Sequence, residues 1–180
     1  MAMSEEARRE AFRELYESTF TDVLAYARRR AASAGDADDA VAETFLVAWR
    51  RFGELPGGER RLPYLYGIAR RVLANQHRGD ARRRRLSDRL EQEGRRAELA
   101  TDGDEVDGAL DRLPAKQREI LGLAYWEDLD PGEIAVALGC SRNAARIRLH
   151  RARRALRSEL ENPERTAGRR LAVPAERRSE

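Results

Sequence analysis

The sequence predicts an all-α protein made of two small helical domains joined by a flexible linker, the C-terminal one a helix-turn-helix. Three observations support this fold class. Apolar residues recur at helical intervals in several segments, strand-like alternation is absent, and a polar, weakly periodic stretch with Gly94 and Gly103 interrupts the pattern in mid-chain. The predicted boundaries are a first domain at 6–85, a linker at 86–105, a second domain at 106–160 and a disordered tail at 161–180.

Three amphipathic helices are expected in the first domain. Asp36 is the predicted N-cap of the second helix, whose apolar stripe is followed by a glycine-rich loop at 53–58. A third helix begins near Arg61 and turns its apolar residues inward. Its opposite side is predicted to carry Tyr66, Arg70, Arg71, Asn75 and Arg78.

The strongest local signal is the helix-turn-helix. Asp130 can cap a helix that has Pro131 in its first turn, and Glu133 completes a capping box. Gly139 suits the left-handed end of that helix, and Ser141 can cap the next one. This arrangement predicts a second helix shaped to lie in a DNA major groove.

The second helix of this motif has two different faces. Its apolar side, with Ala145 and Leu149, is expected to pack against the preceding helix. The other side carries arginine, asparagine and an isoleucine, which can contact guanine, adenine and the thymine methyl group respectively. The candidate DNA-binding residues on this helix are Arg142, Asn143, Arg146, Ile147, Arg148, His150 and Arg151, of which Arg148 is expected to meet phosphate.

The charge distribution also indicates an anionic partner, although the formal net charge is only +3. Eight arginines and one acid lie between Arg61 and Arg85, and seven arginines and no acid lie between Arg142 and Arg157. A span rich in Asp and Glu separates them. The sequence has no long apolar segment, so it predicts neither membrane insertion nor a signal peptide. A cytoplasmic location is therefore expected. The single cysteine and two histidines predict no metal site, cofactor or catalytic group.

Taken with these features, three segments resemble the bacterial RNA polymerase sigma factors of the extracytoplasmic-function (ECF) group. The segment 38–49 is similar to the polymerase-binding helix of that family, and 62–70 is similar to its promoter-melting helix. The segment 110–119 and the helix-turn-helix after it are similar to its promoter-anchoring domain. Arg71 and Ala42 depart from the pattern, since the family often has asparagine and glutamine at those positions.

The resemblance implies a role for each domain. The second domain is expected to bind the minus-35 element through the helix-turn-helix residues named above. The first domain is expected to open the minus-10 element with Tyr64, Tyr66, Arg70, Arg71, Asn75 and Arg78. Core RNA polymerase is expected to bind, through its clamp, at Asp39, Glu43, Leu46 and Arg50.

The resemblance further implies that the polymerase flap is a second contact, that promoter DNA is a partner, and that an anti-sigma protein restrains the chain. Two other functions remain open from the residues alone. A helix-turn-helix regulator could bind operator DNA as a dimer, in which case the first domain would bind a ligand or dimerise. A helical adaptor with merely solvating arginines would show no salt-dependent DNA affinity.

Overall fold

A computed structural model describes residues 4–87 and 105–161 and contains seven α-helices within them. The described residues include no strand, which confirms the all-α prediction. The predicted linker and tail lie almost entirely outside these residues. In chain order the helices are α1 Glu5–Arg28, α2 Ala34–Arg50, α3 Arg61–Ser87, α4 Glu105–Arg112, α5 Ala115–Tyr125, α6 Pro131–Leu138 and α7 Arg142–Glu161.

Helices α1, α2 and α3 pack on one another and form the first lobe. Leu15, Val23, Phe45 and Leu65 are among the side chains buried between them. The loop between α2 and α3 contains two short 3-10 turns, Phe52–Glu54 and Gly58–Arg60. The apolar stripes expected from the sequence therefore meet in one three-helix core.

The cap of α2 differs from the prediction. Ser33, not Asp36, is the N-cap, because its extended backbone (φ −147°, ψ 166°) lets its hydroxyl accept the Asp36 N–H at 3.1 Å. The same hydroxyl donates to the Asp36 carboxylate at 2.7 Å. Asp36 therefore lies inside the first turn of α2, where a negative charge is favoured by the helix dipole.

Helices α4 to α7 form the second lobe, and its helix-turn-helix follows the sequence prediction closely. The Asp130 carboxylate accepts the Glu133 N–H at 2.9 Å, and the Glu133 side chain accepts the Asp130 N–H at 2.8 Å. Gly139 ends α6 with φ 63° and ψ 44°, a left-handed conformation that suits glycine. Ser141 then caps α7 by accepting the Ala144 N–H at 3.1 Å.

The two lobes are in direct contact, whereas the sequence suggested two units separated by a tether. Their buried side chains form one continuous hydrophobic cluster, and α3 packs against α6. Small residues allow this close approach: a β-carbon at Gly67 would lie 2.8 Å from the Ala137 carbonyl oxygen. Nothing in the helical periodicity of either lobe indicates which surfaces will meet, so this contact is a tertiary feature.

No helix within the described residues combines the length and the apolar character required to cross a membrane.

Candidate nucleic-acid interface

Helix α7 is held against the second lobe by one apolar face and presents the other to solvent. Ala145, Leu149 and Ala152 are buried at 0, 4 and 0% relative exposure. Ile147 is 45% exposed. The remaining predicted minus-35 residues are all exposed: Arg142, Asn143, Arg146, Arg148, His150 and Arg151.

Two features keep this surface in a defined orientation. The backbone N–H of Glu133, with that of Gly132, holds the pKa of the Asp130 carboxyl below its usual value, so the cap of α6 is charged near neutral pH. On the C-terminal half of α7, the Arg153 guanidinium donates to the Tyr125 hydroxyl at 3.1 Å. Arg153 is therefore engaged with α5, a contact that the sequence did not indicate.

The predicted minus-10 residues on α3 differ in their exposure to solvent. Arg71, Asn75 and Arg78 are exposed, and Arg78 donates to the Asn75 side chain. Tyr64 is half-buried.

The expected exposure of Tyr66 is wrong, and Arg70 is half-buried. Tyr66 is only 3% exposed and stacks on Tyr26 with ring centroids 4.9 Å apart. Burial and the nearby Glu127 carboxylate raise the pKa of Tyr66. The Nε of Arg70 is buried without a hydrogen-bond partner among the described residues. Helical periodicity places both residues away from the apolar stripe, but it cannot show that a second surface packs there.

The predicted polymerase-binding residues form an exposed surface on α2. Asp39, Glu43, Leu46 and Arg50 are all solvent-accessible, with Leu46 48% exposed. Three of them also line a groove of about 560 Å³ between α2 and α3, together with Arg71 and Asn75 of the minus-10 set. Residues that the sequence assigned to two separate roles are thus neighbours across one groove.

A second groove, of about 430 Å³, lies on the other side of Leu46, between α1 and α2. Phe12, Tyr16 and Phe20 line it from α1, and Phe45 and Trp49 line it from α2. Of these aromatic residues, Tyr16 is 39% exposed. Their spacing of four residues on α1 fits a core stripe equally well, so periodicity could not reveal the groove.

The largest feature missed from the sequence is a charged group where the lobes meet, called here the interlobe cluster: Tyr26, Arg29, Arg30, Glu119 and Glu127. Arg30 donates from Nε to Glu119 at 3.1 Å and from Nη1 to Glu127 at 2.9 Å. The Tyr26 hydroxyl donates to Glu119 at 2.7 Å, and Arg29 pairs with Glu127. The side chain of Glu127 is 2% exposed.

Electrostatics in the interlobe cluster favour the charged form of arginine and the neutral form of tyrosine. Burial acts to lower the pKa of Arg30, but Tyr26 and the carboxylates of Glu119 and Glu127 outweigh it and raise that pKa. Burial, reinforced by Glu119, raises the pKa of the Tyr26 hydroxyl above its ordinary value of 10.0. The cluster is therefore a set of ion pairs and a neutral hydrogen-bond donor that joins the lobes at neutral pH.

The described residues contain no group of three or more His, Cys, Asp or Glu side chains arranged to hold a metal ion. The arrangement is suited to binding, because α3 and α7 carry exposed cationic and amide groups and α2 carries an acidic, partly apolar face.

Known proteins resemble the chain over most of its length. The family model described as Sigma-70 region 2 matches residues 15–84, and that described as Sigma-70, region 4 matches residues 103–156. The ECF RNA polymerase sigma factor SigD of Mycobacterium bovis is 34% identical over an alignment of 167 residues that covers 84% of this chain and 78% of the relative. SigL of Mycobacterium tuberculosis is 32% identical over 160 residues, covering 83% of this chain and 88% of the relative.

Two solved structures have the same fold. The sigma factor RpoE of Bartonella quintana, in complex with the anti-sigma factor NepR, has a TM-score of 0.64 at 24% identity and covers 84% of this chain and 98% of that one. CnrH, in complex with the cytosolic domain of CnrY, has a TM-score of 0.59 at 24% identity and covers 85% and 89%. The chain matches both region 2 and region 4 of the sigma-70 family, and it is similar to SigD and SigL over most of its length. These matches exclude the two other functions considered, a dimeric operator-binding regulator and a helical adaptor. The chain belongs to the ECF RNA polymerase sigma factors, which direct polymerase to promoters.

Proposed function

We propose that the exposed face of α7 reads the minus-35 element, that α3 and the loop before it engage the minus-10 element, and that α2 docks on the polymerase clamp. The observation that carries this proposal is the solvent face of α7. There Asn143 and Arg146 lie beside an exposed Ile147, on a helix whose other face is fixed in the core. These are the side-chain types that read adenine, guanine and the thymine methyl group.

The groove between α2 and α3 supports a division of labour in the first lobe. Asp39, Glu43 and Leu46 offer acidic and apolar contacts to a polymerase helix. Arg71 and Asn75, on the opposite wall, can contact the phosphates and bases of a separated strand. Polymerase and melted DNA would then bind on either side of the same groove, which couples docking to strand capture.

A protein partner for the aromatic groove between α1 and α2 is also proposed. Both solved neighbours are in complex with a second protein, and for the sigma factor RpoE that protein is an anti-sigma factor. An amphipathic helix could insert apolar side chains beside Tyr16 and Leu46, which are exposed. We propose that an anti-sigma factor binds this groove and competes with polymerase for Leu46.

We propose that the chain acts by binding and has no catalytic activity of its own. It works in the cytoplasm, where promoter DNA and polymerase are found. Run-off transcription on a genomic fragment library tests this function. We expect discrete new start sites only when the chain is added to purified core polymerase. Unchanged transcripts, together with failure to co-elute with core polymerase, would refute the proposal.

Variants separate the two binding roles. Leu46→Glu should abolish co-elution with core polymerase, because it places a charge at the exposed apolar contact. The double variant Asn143→Ala/Arg146→Ala should still co-elute but lose selective start sites. Arg13→Ala is the matched control, since Arg13 is exposed on α1 and pairs only with the exposed Glu10 at 3.2 Å among the contacts described. It should behave as the parent chain does.

A further inference from the structure

We propose that Ile147 binds the C5-methyl group of one pyrimidine in the minus-35 element, and that methylation of a cytosine at that position therefore strengthens promoter binding. This inference rests on the proposed function, because it concerns the reading face of α7. It assigns to that face a site for an apolar methyl group, which the arginine and asparagine side chains around it do not recognise. The position of Ile147 and the chemistry of its side chain support the assignment.

Ile147 lies on the side of α7 that faces away from the protein core. Ala145 and Leu149, two positions before and two positions after it, are both buried. Successive residues of an α-helix are about 100° apart around its axis, so two positions correspond to about 200°. Ile147 is therefore almost directly opposite the buried stripe. When α7 lies in a major groove with its core side outward, this line of residues is nearest the base edges.

Ile147 also lies in the part of α7 that can enter the groove. It is the sixth residue of a helix that begins at Arg142. In helix-turn-helix proteins, the N-terminal residues of this helix are the ones that contact base edges. Asn143 lies one turn before Ile147 and Arg151 one turn after it, and both are exposed on the same side. The isoleucine is thus at the centre of the reading face.

The exposed isoleucine differs in chemistry from the rest of that face. Among the described residues, Ile147 is the one exposed large apolar side chain of α7. Between Arg142 and Arg157 the helix has seven arginines and no acid, so it attracts a polyanionic duplex. In the major groove of that duplex, the thymine C5-methyl group is the apolar partner that a side chain can meet. Isoleucine is also stiff in a helix, so the contact costs little side-chain freedom.

A site for this methyl group responds to methylation of cytosine as well. Cytosine has a hydrogen atom where thymine has the methyl group, and methylation at C5 places the same apolar group at the same point of the groove. Burying one methyl group is worth about fourfold in affinity. Loss of the methyl group from a thymine at this position should therefore weaken binding about fourfold, and gain of a methyl group by a cytosine there should strengthen it by the same factor.

The experiment removes or adds the methyl group without changing the hydrogen-bonding groups of the bases. On a promoter identified by run-off transcription, each thymine of the minus-35 element is replaced in turn by deoxyuridine and each cytosine by 5-methylcytosine, on both strands. Every base pair contains one pyrimidine, so the series tests every position. Affinity is measured by fluorescence anisotropy with holoenzyme assembled from the full chain and core polymerase. We expect one position at which the methyl group changes affinity about fourfold.

Variants then assign that sensitivity to a residue. Ile147→Ala should bind the methylated and unmethylated DNAs equally well, and Ile147→Val, which keeps the branched side chain, should keep part of the difference. Val106→Ala is the matched control, because Val106 is a 40% exposed apolar residue of the same lobe that lies on α4. It should keep the full difference. Alanine favours the helix at each of these positions, and circular dichroism verifies that helical content is retained.

Two results would overturn the inference and leave the proposed sigma function standing. One is a parent holoenzyme that selects the promoter but is insensitive to the methyl group at every position. The other is a sensitivity that persists unchanged in Ile147→Ala, which would assign it to another residue or to the shape of the DNA. A parent chain that directs core polymerase to no promoter would refute the sigma function, and this inference with it.

Discussion

Replacing Arg146 with alanine tests whether α7 reads bases. Arg146 is exposed on α7, next to the buried Ala145. Truncating an exposed side chain away from such core positions usually changes folding free energy by no more than about 0.5 kcal/mol. A loss of promoter affinity in this variant can therefore be assigned to lost DNA contacts.

The expected size follows from the kind of contact. One arginine that reads a guanine contributes about 1 to 3 kcal/mol of discrimination, which is about 5- to 150-fold in affinity for the cognate minus-35 sequence. Arg154 is the matched control, because it is an exposed arginine on the same helix, about 12 Å further along it. If Arg154 contacts phosphate, Arg154→Ala should weaken binding to all sequences alike and reduce the salt slope by about 1.

The assay is fluorescence anisotropy of the holoenzyme on a promoter identified by run-off transcription, compared with the same promoter carrying minus-35 substitutions. Arg146→Ala should lose the difference between the two DNAs, whereas Arg154→Ala should keep it. Equal affinity of Arg146→Ala and parent for the cognate DNA would exclude Arg146 from the interface. A uniform loss on both DNAs would reassign it to phosphate.

Three further outcomes are expected. Asp130→Ala should lower unfolding free energy by about 0.5 to 2 kcal/mol in urea titrations, because two backbone N–H groups lose their acceptor. Because folding lowers the pKa of Asp130, the stability that its carboxylate contributes is fully present above the ordinary carboxyl pKa and is lost as the pH falls through the lowered pKa. A difference in unfolding free energy between parent and variant that does not change with pH would contradict this. Ile134→Ala, at a fully buried site in α6, should cost about 2 to 5 kcal/mol and abolish minus-35 binding, as followed by thermal melting and anisotropy. Tyr26→Phe should lower the unfolding free energy by about 1.5 to 3 kcal/mol in urea titrations, because it removes the hydrogen bond to the Glu119 carboxylate; an unchanged unfolding free energy would show that this bond does not stabilise the contact between the lobes.

The helix-turn-helix shows how much short-range chemistry can predict. Asp130, Glu133, Gly139 and Ser141 each act within three or four residues of their own position, so the order of residues determines the caps and the turn. The inward face of α7 was equally predictable, since the same apolar period recurs over several turns. Asp36 shows the limit, because Ser33 and Asp36, three positions apart, compete for one cap and backbone conformation decides between them.

The sequence by itself determined the helical class, the helix-turn-helix and, through the order of its motifs, membership in the ECF sigma factors. Only the tertiary structure decided that Tyr66 and the Nε of Arg70 are buried, that Arg30 joins Glu119 and Glu127, and that Arg71 shares a groove with Glu43. The physical reason is how far apart along the chain the interacting residues lie. Caps and helical faces depend on neighbours along the chain, whereas these contacts join residues more than 25 positions apart, and periodicity contains no information on which surfaces meet.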